Sequence, residues 1–237
     1  GNTLDVTTHT DRAIINWQGF SIGAGETTNF IQPGAGSAVL NRVTTPDNPS
    51  AIYGQLNSNG SVFLVNPSGI LIGPAGVINA NGFTASVFDI SNREFMAGGP
   101  LTFRGDSTAS VVNQGAIYTG AGGVALLGHQ VINSGLVSSD GGAITLATGG
   151  SITLADGSRY IQADVKTLAN GISETASLIK NSGVVRATGA LKTGGEVYLV
   201  NPAGNLLHDG TIKADRLAEA GRSGGSVKLE ASQGETR

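Results

Sequence analysis

The feature that most constrains this chain is a short pattern that returns along its length: a β-branched pair, then Asn-x-Gly, then another apolar run opened by Gly-Gly. It is clearest at Val111-Val112-Asn113-Gln114-Gly115-Ala116-Ile117, followed by Gly122-Gly123-Val124-Ala125-Leu126. It returns at Val131-Ile132-Asn133-Ser134-Gly135-Leu136-Val137 with Gly141-Gly142-Ala143-Ile144, and again at Asn181-Ser182-Gly183-Val184-Val185 with Gly194-Gly195-Glu196-Val197. A weaker copy holds Asp209-Gly210-Thr211-Ile212 and Gly224-Gly225-Ser226-Val227, and Asn59-Gly60-Ser61-Val62-Phe63-Leu64 opens the same kind of strand earlier. A period of about 20 residues holding two or three strand-length runs is one coil of a parallel β-helix. Each coil carries a few inward apolar residues that it cannot bury alone, so coils must stack. Asn and Gly punctuate the corners, where both accept left-handed backbone angles and stacked asparagines hydrogen-bond from coil to coil.

Composition agrees. Of the 237 residues, 37 are glycine and 13% are charged, against a usual charged share of about 25%. Such a chain is not mainly helical, and regularly placed Val, Ile and Leu separate it from collagen and from disordered linkers. The expected fold is all-β: a right-handed parallel β-helix (solenoid) with an N-terminal cap and extra-helical hairpin or loop insertions, forming one domain over residues 1–237.

The cap is expected over about residues 1–60, where longer strands surround Ala13–Trp17, Phe20–Ile22, Asn29–Gln32 and Ala38–Val43, with Trp17, Phe20 and Phe30 as core plugs. Coils are expected over about 61–237, with an insertion near 158–172. Short helices are expected at Asn92-Arg93-Glu94-Phe95-Met96 and Asp215-Arg216-Leu217-Ala218-Glu219-Ala220.

A formal net charge of −3 excludes the basic footprint that nucleic acid requires. No apolar run approaches the roughly 18 residues of a membrane-spanning helix. The chain opens at Gly1-Asn2-Thr3 without a signal peptide, the expected form of a mature or truncated product. It has no cysteine, which permits export through an oxidising compartment in an unfolded state.

Catalytic and metal chemistry find little footing. His9, His129 and His208 lack a second ligand at metal-binding spacing, so neither metal nor cofactor is expected. Ser177-Leu178-Ile179-Lys180 with Lys192-Thr193-Gly194 superficially matches a serine β-lactamase signature, but both pieces fall within one repeat and the middle motif is missing. Asp140, Asp156 and Asp209 each precede Gly and read as turn residues rather than the convergent carboxylates of a β-helical polysaccharide lyase. Asn59-Gly60-Ser61 fits a glycosylation sequon but reads first as a turn.

Ile15-Asn16-Trp17-Gln18-Gly19-Phe20-Ser21-Ile22 and Ser37-Ala38-Val39-Leu40-Asn41-Arg42-Val43 resemble the opening of two-partner secretion domains. The likeness continues through Ile52–Leu56, Asn59–Ile70 and Ile78–Ser86 to Asp89-Ile90-Ser91, and is nearer the high-molecular-weight adhesins than filamentous haemagglutinin. The resemblance implies a secreted, non-enzymatic secretion-signal domain of a large bacterial exoprotein, moved through periplasm and outer membrane to the cell surface by a TpsB-type β-barrel transporter with periplasmic domains. It also points to Asn66, Pro67, Ser68 and Gly69 as the secretion motif, with Ser where the family more often has a second Asn. Asn, Pro and Gly at the first, second and fourth positions equally suit a type I turn, and Asn201-Pro202-Ala203-Gly204 repeats the pattern. A competing expectation is a β-helix that itself binds a host glycan or receptor.

Overall fold

The computed structural model describes residues 1–155, 158–164, 177–189, 195–216 and 225–231. The chain winds as a parallel β-helix. The first two rungs are β1 (Thr3–Thr7) with β2 (Arg12–Trp17), then β3 (Thr27–Ile31) with β4 (Ala38–Val43). Next come β5 (Ser50–Ile52), β6 (Gln55–Ser58) and β7 (Ser61–Val65), followed by β8 (Ile70–Ile72) and the long β9 (Val77–Ser86), which bends round a corner to serve two faces. A first excursion carries α1 (Asn92–Ala97) and β10 (Leu101–Arg104), after which β11 (Ser110–Asn113) and another two-face strand, β12 (Ala116–Leu127), resume the winding. After β13 (Gln130–Asn133), β14 (Leu136–Asp140) and β15 (Ile144–Ala147), a second excursion holds β16 (Ser151–Ala155) and β17 (Arg159–Asp164). The last rungs are β18 (Ser177–Asn181), β19 (Val184–Gly189) and β20 (Glu196–Val200), then β21 (Gly204–His208), β22 (Thr211–Arg216) and β23 (Ser226–Glu230).

Three flat faces result, and every pairing along them is parallel. The first face stacks β5-β8-β11-β13-β18-β21 and the second β1-β3-β6-β9-β12-β14-β19-β22. The third stacks β2-β4-β7 on the far half of β9, then β12, β15, β20 and β23. Period-2 alternation puts one side chain of each pair inward. The register then lines those side chains into columns such as Val39-Val62-Phe83-Val124-Ile144-Val197 on the third face and Ile70-Val111-Val131-Ile179-Leu206 on the first. All of these are at most 2% exposed.

Residues 1–60, the expected cap region, are built from strands that join these same ladders. What distinguishes them is an aromatic plug. Phe20 and Phe30 are buried and stacked 6.3 Å apart, and Trp17 meets Phe20 edge-on while its indole N–H donates to Asn41 Oδ1 at 2.9 Å. Phe20–Ile22 is not a strand; Ile22 makes a single bridge to Ile52.

The third face differs from the other two. The second half of β9, β12 and β15 are buried without alternation, because the excursions cover their outer side. β10, β16 and β17 form an antiparallel sheet there, with Leu101 opposite Leu154 and Phe103 opposite Ile152, all within 1% of full burial. The insertion expected near 158–172 therefore begins earlier, at β16, and pairs with a first excursion that the repeat pattern does not announce; residues 165–172 lie outside the described residues.

The helix expected at Asn92–Met96 is present as α1. Ser91 Oγ caps the helix by accepting from the Glu94 N–H at 3.2 Å, and donates to Glu94 Oε2 at 2.7 Å, in a Ser-x-x-Glu pattern present in the sequence. The expected helix at Asp215–Ala220 is corrected: Asp215 and Arg216 belong to β22, in register with Thr188 and Gly189, and 217–220 lie outside the described residues. Helical propensity there yields to the ladder beneath it.

The Ser91 and Arg104 hydrogen bonds hold the Glu94 carboxyl below its ordinary value of 4.5. A value lower in the folded than in the unfolded chain stabilises α1 above the ordinary carboxylate range, and this is lost as pH falls through the folded value. Glu94→Gln keeps an acceptor for Ser91 but cannot titrate. The expected result is that acid-induced loss of hydrogen-exchange protection at the Phe95 amide, which donates to Ser91 O, disappears in the variant. An unchanged acid response would place its origin elsewhere.

The repeat's Asn-x-Gly signature has a physical basis different from left-handed corners. Asn113, Asn133 and Asn181 are fully buried, and their amides form a one-way ladder: Asn113 Nδ2 donates to Asn133 Oδ1, and Asn133 Nδ2 to Asn181 Oδ1, each at 2.8 Å. His208 takes the next position, its Nδ1 lying 3.0 Å from Asn181 Nδ2. Gly115, Gly135, Gly183 and Gly210 are not among the residues of positive φ; among the described residues Asp47 is the non-glycine residue found there. They are glycine because of close approach. A Cβ at Gly135 would stand 2.2 Å from Gly115 O, and the same holds up the column at Gly183 against Gly135 and at Gly210 against Gly183.

Candidate functional site

Irregular connections gather at one edge of the solenoid, where the third face hands over to the first. Residues 44–49, 66–69, 87–109 and 201–203 make this passage, and the second excursion leaves from the same edge at Thr148. Insertions that collect on one edge leave the ladders undisturbed, since the chain departs and returns between strands.

The 66–69 turn is built from its own side chain. Asn66 is fully buried; Oδ1 accepts from the Ser68 N–H at 2.9 Å, and the Gly69 N–H returns to Asn66 O at 3.0 Å, closing a β-turn with Gly69 at φ 113°. Asn66 Nδ2 donates to Asn48 O at 2.8 Å and Ser50 Oγ at 2.9 Å, tying the turn to the preceding rung. Pro67 is exposed and Ser68 half-buried, so Pro67 and Ser68 form the accessible tip. Ser107, returning from the first excursion, donates to Pro67 O at 2.6 Å.

Asn201 repeats this arrangement. It is fully buried, its Oδ1 accepts from the Ala203 N–H at 3.3 Å, and its partner one rung earlier is Ser177, whose hydroxyl donates at 2.8 Å. Thr148 adds a bond to the same oxygen at 2.7 Å. The registers differ by one residue, since Ser50 lies opposite Ile70, just after its motif, and Ser177 lies opposite Gly204, the last residue of its own. The two turns differ in exposure: Pro202 is buried where Pro67 is exposed. Thus the two Asn-Pro-x-Gly motifs share one structural task, and the first alone of the pair has an exposed proline at its tip.

The four motif residues expected from sequence therefore come together as one turn. Asn48, Ser50 and Ser107 complete it, and no local stretch of sequence announces them. They are 16 to 18 residues before Asn66 and 40 after Pro67, and become neighbours only through the coil register. The remaining polar candidates resolve into structure. Ser177 is occupied with Asn201, Lys180 is exposed, and Lys192 lies outside the described residues. Asn59 Nδ2 donates to Gln32 O at 2.7 Å and its Oδ1 accepts from the Gln32 N–H at 2.8 Å, so in the folded domain the sequon amide serves as a strand extension. Among the described residues no three His, Cys, Asp or Glu side chains gather as a metal-binding group.

The family model of the TPS secretion domain matches residues 1–229. A heme/hemopexin-binding protein of Haemophilus influenzae (strain ATCC 51907 / DSM 11121 / KW20 / Rd) is 29% identical over 195 residues, covering 79% of this chain and 21% of that protein. A second heme/hemopexin-binding protein of Haemophilus influenzae is 39% identical over 80 residues, 34% of this chain and 8% of that protein. The chain thus spans about a fifth or less of these curated relatives. The crystal structure of the HMW1 secretion domain from Haemophilus influenzae superposes with a TM-score of 0.71 at 32% identity, covering 88% of this chain and 63% of that one. The motifs, the coil architecture and these likenesses agree: the chain belongs to the TPS secretion domain family, the secretion-signal domains of exoproteins carried through the outer membrane by two-partner secretion.

Proposed function

We propose that the N-terminal part of this domain is bound in the periplasm by a TpsB-type β-barrel transporter while still unfolded, and that the Asn66-Pro67-Ser68-Gly69 turn acts when the chain folds at the cell surface. The observation that carries this reading is the burial of Asn66, whose amide is spent on Ser68, Asn48 and Ser50. A side chain committed to its own corner contributes by setting the passage from β7 to β8, and only Pro67 and Ser68 face outward. No chemistry on a substrate is needed for this role, and the domain works as a signal and folding template rather than an enzyme. Parallel pairing of distant segments is slow, because loop closure precedes the reward from contacts, so the chain stays competent for export.

The test compares release into the medium, with and without the cognate transporter, for wild type, Asn66→Ala and Ser50→Ala. Ser50→Ala removes the same hydrogen bond from the other side. Losses of release in both are expected, larger in Asn66→Ala, which removes three hydrogen bonds where Ser50→Ala removes one, with binding to the transporter's periplasmic part unchanged. Loss with Asn66→Ala alone, accompanied by weaker transporter binding, would show that the unfolded chain is read at Asn66 and would overturn the folding role.

A further inference from the structure

We propose that the two excursions form a brace that locks the first rungs of the solenoid to the last, and that it closes only after the second excursion has been exported. The export consequence rests on the secretion reading above; the brace itself does not. In a solenoid each repeat touches its neighbours alone, so distant rungs are coupled only through those between them. Here the first excursion reaches back to the opening rungs. Arg12 in β2 donates to Phe95 O at 2.9 Å and sets its guanidinium over the Phe95 ring, while Phe95 packs edge-on against Phe63. Arg42 in β4 binds Asp89 at 2.9 Å and Ile90 O at 2.7 Å.

The second excursion reaches forward. Thr145 donates to Ser158 O, Arg159 pairs with Glu196 in β20, and Tyr160 packs on Tyr198 with Lys228 of the last rung over its ring. The link between the halves is the β10–β16 pairing, whose outward contact is Thr102 Oγ1 to Thr153 Oγ1 at 3.1 Å, across 51 residues of sequence.

This geometry orders events during N-to-C export. When β10 emerges its pairing partner is still 51 residues behind, so the opening rungs are held by their ladders alone. Completion of β15 and arrival of β16 close the small sheet, bury Leu101, Phe103, Ile152 and Leu154 together, and join the two ends. Thereafter the opening rungs cannot loosen without opening the brace.

The test places charges on the outward pair, away from the solenoid. Thr102→Glu with Thr153→Glu sets like charges directly opposite across the strands, and Thr102→Glu with Thr153→Lys sets opposite ones. In the purified domain, native-state hydrogen exchange is expected to show protection in β2, β4 and β20 lowered by roughly tenfold or more in the Glu/Glu variant and restored in the Glu/Lys variant. Loss confined to β10, β16 and β17, or identical behaviour of the two variants, would overturn the brace. A domain braced in this assay yet released equally with and without its transporter would instead sink the secretion reading and leave the brace standing.

Discussion

Asn133→Ala is expected to lower the domain's stability by about 3 kcal/mol, since it removes two buried side-chain hydrogen bonds and orphans the Asn181 Oδ1 acceptor in a site without solvent. For a chain of this length that corresponds to a thermal midpoint lower by roughly 6–12 °C. The substituted residue is the middle of the buried ladder, and each neighbour loses something different. Asn113 Nδ2 keeps a second acceptor, Leu136 O at 3.2 Å, so its loss is partial. Asn181 Oδ1 has its bond from Asn133 Nδ2 and nothing in the apolar interior to replace it. A control exists in the same molecule. Asn57 donates to Asn29 Oδ1 at 2.9 Å and accepts from Asn79 Nδ2 at 3.2 Å in a second ladder on the outside of the second face. Water substitutes there, and Asn57→Ala is expected to cost under about 1 kcal/mol. Thermal unfolding of the two variants measures the contrast, and equal shifts would mean that stacking of amide planes, rather than burial of their bonds, stabilises the ladders.

The sequence announces those ladders because the asparagine recurs at the same place in each coil, and a solenoid converts sequence period into vertical neighbourhood. For the same reason the inward columns and the family motifs from Ile15 to Ser91 are readable in one dimension. What escapes is whatever lies between coils rather than within them. Ser50 meets Asn66, and Ser177 meets Asn201, through register that no local window contains. The pairing of β10 with β16 is further hidden, because two unrelated departures from the repeat must be known to exit at the same edge before their alternation, Leu101-Thr102-Phe103 and Ile152-Thr153-Leu154, reads as one sheet. Asp215 and Arg216 mislead in the opposite sense: their helical propensity is local, while the strand they complete is imposed by β19. The glycines were legible as a position but not as a cause. Sequence suggests left-handed turns, whereas in the fold the Asn-x-Gly glycines are required by close stacking.

That cause makes Gly135→Ala a severe substitution, expected to cost about 3 kcal/mol or more although alanine is the smallest change possible and no left-handed backbone is involved. The added Cβ would lie 2.2 Å from Gly115 O, 2.7 Å from Gln114 C and 2.9 Å from Gly115 N, all main-chain atoms of the rung below. No side chain can rotate away to admit it. Relief requires the two rungs to part, and the rungs are joined at this corner by Leu136 N–H to Gly115 O at 2.9 Å and by the amide ladder beside it. Opening the spacing at one corner therefore weakens the bonds that define the coil, and the strain passes upward because Gly183 stands in the same relation to Gly135. Gly34→Ala offers the matched comparison, since an added Cβ at that position meets nothing within 4 Å and φ is not left-handed. It is expected to be neutral, or stabilising by up to about 1 kcal/mol through loss of freedom in the unfolded chain. Urea unfolding of both variants reads the difference directly. A Gly135→Ala midpoint matching that of Gly34→Ala would mean that the rungs separate easily at this edge, and the close stacking of glycine on carbonyl would then be a consequence of coil winding rather than a condition for it.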